Sequence, residues 1–289
     1  MSVSFAQRLR AAVTASGSLL CVGLDPDLAK LPRDLPGSAA DPDGFLAFGS
    51  RIVDATADLA AAYKPQIAFY SAQGREAELA ATIRIIRERA PHALVILDAK
   101  RNDIGNTAEA YAREAFDRYG ADAVTINPYM GADSVLPFTA RAERGAVLLC
   151  RTSNPGARDF QDLRVDGLPL YRHVAKRAAA DWNELANLML VVGATYPAEM
   201  AELRAAHPEL WFLVPGVGAQ GADLQHTLAA GLNDAAAGLL INSARGIIYA
   251  GGGTAAGIRA AAAELHAQIE AGREAHARSA RTRALEPLQ

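Results

Sequence analysis

The stretch L-V-I-L-D-A-K-R-N-D-I-G-N-T (Leu94–Thr107) reads as a strand, a polar rim and the start of a helix. Leu94 to Leu97 is a β-rich apolar run long enough for one buried strand. It closes on Asp98, Lys100 and Asp103, and a helical pattern begins near Thr107. Side chains alternate along a strand, which predicts Asp98 and Lys100 on one face and Asp103 in the turn beyond. An ammonium is therefore expected between two carboxylates at the carboxyl end of a buried strand. Burial alone drives a lysine towards neutrality, whereas flanking anions keep it protonated. Taken by itself, D-x-K-x-x-D is equally an ordinary strand-end ion network, so its weight depends on the rest of the chain.

Working outward, the same strand-then-helix unit recurs. Ser4 followed by Gln7 marks a leading helix over about 4–15. Strands are expected at Leu19–Asp25, Leu59–Lys64, Leu94–Lys100, Ala123–Asn127, Ala146–Arg151, Leu188–Gly193, Trp211–Val217 and Gly238–Asn242. Between them fall helices at Gly44–Asp58, Gly74–Arg89, Thr107–Tyr119, Ser134–Glu143, Leu170–Asn183, Ala198–Ala206 and Ala222–Ala230, with a long final helix from Thr254. Only the polar stretch Thr152–Pro169 interrupts the rhythm. Near-continuous apolar strands are of the parallel kind covered on both faces. About eight such units predict an α/β fold, a single-domain (β/α)8 TIM barrel with an extra N-terminal helix. The domain is expected to span 1–289, with a core of about 19–270 and a tail of about 272–289. An open doubly wound sheet is the alternative, but no G-x-G-x-x-G follows the first strand.

Composition narrows the function classes. With 289 residues, 51% hydrophobic and 21% charged, the chain has enough apolar surface for a large globular core. A net charge of −3 gives no global basic field for nucleic acid. No apolar run approaches a bilayer span, and residues 1–10 lack the apolar segment of a signal peptide, so the cytoplasm is the expected compartment. Cys21 and Cys150 lie in separate apolar runs and are expected to pack in the core. The six histidines are scattered singly, so no metal site is expected. The Arg-rich run 272–289 reads as a solvated helix end with a frayed terminus.

In such a barrel, chemistry sits at the carboxyl ends of the strands. There the sequence offers Asp25, Lys64, Asp98 with Lys100, Asn127, Ser153, Gln220 and Arg245. V-P-G-V-G-A-Q-G (Val214–Gly221) is a Gly-rich loop able to bring backbone N–H groups close to an anion. I-N-S-A-R-G (Ile241–Gly246) adds Arg245, suited to bidentate phosphate contact. One Gly-rich loop is most simply a tight turn. Two adjacent loops after the seventh and eighth strands, one carrying arginine, point to phosphate.

With these residues in view, the sequence resembles the orotidine 5′-phosphate decarboxylase family, in particular its longer bacterial branch (type 2). The matching pieces run in one order from V-G-L-D-P (Val22–Pro26) through Y-K-P-Q-I-A-F-Y (Tyr63–Tyr70) to L-D-A-K-R-N-D-I-G-N-T (Leu97–Thr107). They continue with T-I-N-P-Y-M-G (Thr125–Gly131), R-T-S-N-P-G-A (Arg151–Ala157), the Val214–Gly221 loop and N-S-A-R-G (Asn242–Gly246). Gly221–Asp223 reads G-A-D where the family commonly has G-G-D, and Ala222 is compatible with a helix start.

The resemblance implies a lyase of pyrimidine biosynthesis that converts orotidine 5′-phosphate to uridine 5′-phosphate (UMP) and carbon dioxide, the last step of de novo UMP synthesis. It implies an alternating charge array of Lys64, Asp98, Lys100 and Asp103, with Lys100 stabilising and protonating a C6 carbanion. Asp25 and Lys64 would contact the ribose hydroxyls, Ser153 the pyrimidine edge, and Gln220 would bridge base and phosphate. Arg245 and the loop holding Pro215, Gly216 and Gly218 would bind the phosphate. A homodimer is implied, with Asp103 and Thr107 reaching the neighbouring active site, and no metal or organic cofactor. The nearest rivals are sugar-phosphate barrels that share D-x-K-x-x-D but use magnesium, and a barrel kept only as a ligand sensor.

Overall fold

The eight expected strands form and close into one parallel barrel. In the computed structural model, which describes residues 3–35, 42–217 and 223–285, they are β1 (Leu20–Leu24), β2 (Ala62–Pro65), β3 (Leu94–Arg101) and β4 (Ala123–Ile126), followed by β5 (Gly145–Arg151), β6 (Leu188–Val192), β7 (Trp211–Pro215) and β8 (Leu239–Ser243). Each strand pairs with its neighbours in sequence, and β1 pairs with β8 to seal the cylinder, Leu20 opposite Ile241. The strands are buried on both faces, which is why they read as continuous apolar runs rather than alternating ones.

Around the barrel lie α1 (Phe5–Ser16), α2 (Pro42–Thr56), α3 (Ile67–Ser71), α4 (Glu76–Arg89), α5 (Gly105–Arg113) and α6 (Leu136–Thr139). The circuit is completed by α7 (Leu170–Asp181), α8 (Pro197–Ala206), α9 (Leu224–Gly231), α10 (Arg245–Ile248) and α11 (Ala255–Leu285). The Ser4/Gln7 capping box starts α1 as its sequence predicts. This helix seals the amino end of the barrel. Phe5 packs where a β-carbon on Gly145, the first residue of β5, would fall, and Arg8 pairs with the buried Asp122 just before β4.

Several elements differ from expectation for local reasons. The helix expected at Ser134–Glu143 is only the short α6, preceded by a 3-10 turn. The side-chain amide of Asn187 donates to the carbonyls of Thr139, Arg141 and Arg144 at 3.0, 2.9 and 2.8 Å, directing these carbonyls towards a buried side chain. The segment expected as one helix from Gly74 has a separate short helix, α3, before it, and Gly74 turns with φ +64 before α4 begins. Thr152–Pro169 carries a 3-10 turn at Pro155–Asp159 and a small antiparallel hairpin, Arg164 opposite Pro169. Asp223 caps α9 through the backbone N–H of His226, while Ala222 lies outside the described residues. The final helix continues through most of the Arg-rich tail, to Leu285. No helix among the described residues is long and apolar enough to cross a membrane.

Candidate active site

Lys64 sits near the end of β2, and Asp98 and Lys100 in the last half of β3. Lys64 Nζ donates to Asp98 Oδ2 at 2.8 Å, and Lys100 Nζ donates to Asp98 Oδ1 at 2.6 Å. Thr125 Oγ1 on β4 donates to the same Oδ1 at 2.9 Å. Within one chain the order of charges is thus a carboxylate between two ammoniums, not the expected ammonium between Asp98 and Asp103. Asp103 lies past the end of β3, where its Oδ1 accepts the N–H of Ile104 at 2.8 Å, and it makes no ion pair among the described residues. Burial works to raise the Asp98 carboxyl, but Lys64 and Lys100 together outweigh it and hold that group well below the usual carboxylate range. Burial likewise works to lower the Lys64 ammonium, but Asp98 and Asp25 outweigh it and hold it above its ordinary value.

Asp98 and Lys100 do meet, though not by simple alternation. The β3–β4 register runs Leu97 opposite Val124, then Arg101 opposite Ile126, so three residues of β3 face the single Thr125. This is a bulge, and Lys100 takes φ +47 within it. A lysine in the left-handed region costs about 1 kcal/mol or more. The strain returns the ammonium over Asp98. Lys100 keeps 48% of its side chain exposed, against 6% for Lys64 and 9% for Asp98, so it alone of the three reaches the mouth of the site.

A cavity of about 440 Å³ opens above these groups, lined by Lys64, Asp98, Lys100, Thr125, Ser153 and Pro215 among others. Leu149, Val191 and Leu213 give it an apolar floor. Gln161 folds the Thr152–Pro169 stretch back over it, its side-chain amide exchanging hydrogen bonds of 2.9 and 2.8 Å with the backbone and hydroxyl of Thr152. At the base of that stretch the buried Arg151 stacks on Tyr196 and pairs with Asp162 at 3.0 Å. Gln161 has no role in the sequence reading, and Thr125 enters it only as the first residue of a matching segment. Thr125 is one hydroxyl in an apolar strand, and Gln161 acts through a fold within its own loop.

Asp25 follows β1, and its Oδ1 is buried without a hydrogen-bond partner among the described residues. Burial pushes its carboxyl above the usual range, against the pull of Lys64. Arg245 opens α10, exposed and near enough to Asp25 to be felt by it. The loop before it lies directly on β1, where a β-carbon on Gly23 would stand 2.5 Å from that of Ala244. Gly216 turns the chain after β7 with φ +101, while Gly218 and Gln220 lie outside the described residues. Asn127, expected with the strand-end set, lines a separate cavity with Tyr129, Phe160 and Tyr171. Thr107 is exposed in the first turn of α5 and, like Asp103, does not line the 440 Å³ cavity. Both cysteines are buried thiols, pushed up to about 12 by burial, as core residues should be. No cluster of three or more metal-ligating side chains occurs among the described residues.

Residues 18–260 match the family model described as orotidine 5′-phosphate decarboxylase / HUMPS family. The chain belongs to that family. Within it, the curated orotidine 5′-phosphate decarboxylase of Cellvibrio japonicus is 53% identical, covering 94% of this chain and all of that protein. The Azoarcus sp. enzyme of the same name is 54% identical over 92% of this chain and 98% of its own length. Among solved structures, the Leishmania donovani OMP decarboxylase superposes with a TM-score of 0.82 at 41% identity, covering 94% of this chain and 99% of that one. The chain is therefore an enzyme of the orotidine 5′-phosphate decarboxylase family, on a barrel its solved relatives share.

Proposed function

We propose that Lys100 is the group through which this enzyme decarboxylates orotidine 5′-phosphate to UMP. Breaking the C6–carboxylate bond releases carbon dioxide and leaves the electron pair on C6, in the plane of the ring. That pair is orthogonal to the π system, so it must be stabilised where it stands, by a fixed cation in a water-poor pocket. The Lys100 ammonium then delivers a proton from Nζ to C6, giving UMP, and the exposed side of the lysine takes up a replacement from solvent. The observation that carries this reading is the 2.6 Å contact that pins Lys100 Nζ to a buried, ionised Asp98 at the cavity wall.

The other roles are those the family resemblance implies. Asp98 would lie near the departing carboxylate, and its 2.6 Å contact suits it to orient Lys100. The unpartnered Asp25 oxygen and the Lys64 ammonium suit ribose hydroxyls. Ser153, which lines the same cavity, suits the pyrimidine edge. Arg245 and the loop of Pro215 and Gly216, continuing through Gly218 and Gln220, would hold the phosphate and order the site from a distance. Asp103 and Thr107 would complete a neighbouring site in a homodimer. The exposed Ile104, Tyr129, Met130 and Leu136 give that face apolar surface to cover.

The direct test mixes chelator-treated protein with orotidine 5′-phosphate and follows the pyrimidine ultraviolet absorbance. Turnover to UMP that survives the chelator supports the reading. No turnover, or a chelator-sensitive reaction on a sugar phosphate instead, rejects it.

A further inference from the structure

We infer that Thr125 is a positioning residue whose hydroxyl locks the β3 bulge and so aims the Lys100 ammonium at the reacting carbon. The inference rests on the role proposed for Lys100. A threonine hydroxyl has one donor and two acceptor positions, and Thr125 Oγ1 uses all of them. It donates to Asp98 Oδ1 at 2.9 Å and accepts the backbone N–H groups of Ala99 and Lys100, each at 2.9 Å. The need is built into the register. Three residues of β3 face Thr125 alone, so the carbonyls of a regular ladder are out of step with Ala99 and Lys100. The hydroxyl stands in for a ladder carbonyl at the residue that holds φ +47. One atom thereby ties together the backbone turn that carries the ammonium and the carboxylate that fixes its far end. Released from it, Lys100 is free to relax to an extended backbone that carries Nζ away from Asp98.

Thr125→Val tests the hydroxyl with little change of shape or strand preference, because valine is β-branched and of similar size. The expected result is a kcat lower by about 100-fold, the scale of a reacting group displaced by an ångström. The Kd of a UMP analogue carrying an oxyanion at C6 should weaken by a similar factor, because that anion reads the aim of Lys100. The Kd of UMP itself, which has no charge at C6, should stay within about threefold, and Thr125→Ser should keep kcat within about threefold. A valine variant with near-normal kcat overturns the inference. So does equal weakening of UMP and the C6 oxyanion analogue, or a serine variant as impaired as valine. If the valine chain does not fold, serine decides, since it keeps the hydroxyl and must stay active. Lys100→Ala is measured alongside. Activity retained there rejects the lysine's role, whereas an inactive Lys100→Ala beside a normal Thr125→Val rejects only the positioning.

Discussion

Gly193 and Ser153 meet backbone to backbone: a β-carbon on the glycine would stand 2.8 Å from the Ser153 Cβ and 2.9 Å from its Cα. The Gly193 N–H also donates to the Arg151 carbonyl at 2.7 Å, so the two loops are joined at this point. Gly193→Ala must push Ser153 into or away from the cavity. We expect kcat/KM for orotidine 5′-phosphate to fall by about 10- to 100-fold, mostly through KM. Inhibition by ribose 5-phosphate, which lacks the base, should be nearly unchanged. If both ligands lose affinity alike, the contact does more than place Ser153.

Lys100→Ala should fold, because the side chain is half exposed and tied only at its tip. Losing both the cation and the proton donor should lower kcat by about 10⁴-fold or more. Circular dichroism and kcat check this together, and a folded variant of near-normal turnover would remove Lys100 from the mechanism.

Asp25 is costly to the unliganded fold. Its carboxyl is pushed above the usual range, so its stabilising contribution is present below about pH 3.9 and is lost as pH rises through the raised value. Replacing it with asparagine removes the ionised form. Asp25→Asn should therefore melt a few degrees higher than the parent at pH 7, with the difference shrinking towards pH 4, while KM rises. A lower melting temperature at pH 7 would contradict the burial argument.

Arg245→Ala should depress kcat/KM for the phosphorylated substrate by about 10²- to 10³-fold, the scale of a lost charge-assisted clamp. On orotidine, which lacks the phosphate, the same substitution should cost little. Equal losses on both substrates would mean that Arg245 does not act through the phosphate.

Sharing of residues between subunits has its own signature. Lys100→Ala and Asp103→Ala proteins, each inactive alone, should regain about a quarter of parental activity when subunits are randomly exchanged, since half the dimers are mixed and each has one intact site. Activity that stays at background after exchange would place Asp103 and Lys100 in the same chain's site.

The barrel was legible because each βα unit carries its own signal, an apolar run ending in polar residues, and eight repeats leave one closed architecture. Asp98, Lys100, Lys64 and Ser153 were legible for the same reason, as strand-end positions that the barrel brings to one cavity, whereas Pro215 was reached only through the Gly-rich loop. The bulge was not. It is set by β4, some 25 residues later, and alternation along β3 reaches the right neighbours by the wrong geometry. The truncation of α6 was equally hidden, because the side chain that takes its carbonyls, Asn187, comes from another unit. Asp103 and Thr107 do not line the cavity among the described residues, so strand-end placement alone does not account for them.

The left-handed turn at Lys100 has a consequence for anyone hoping to transplant this chemistry. Copying D-A-K onto the rim of another cylinder of parallel strands would deliver the letters without the aim, because a straight host strand has no surplus residue to spend. A graft would have to bring along the out-of-step neighbour and its hydroxyl. The smallest portable unit is a pair of strands, not a motif.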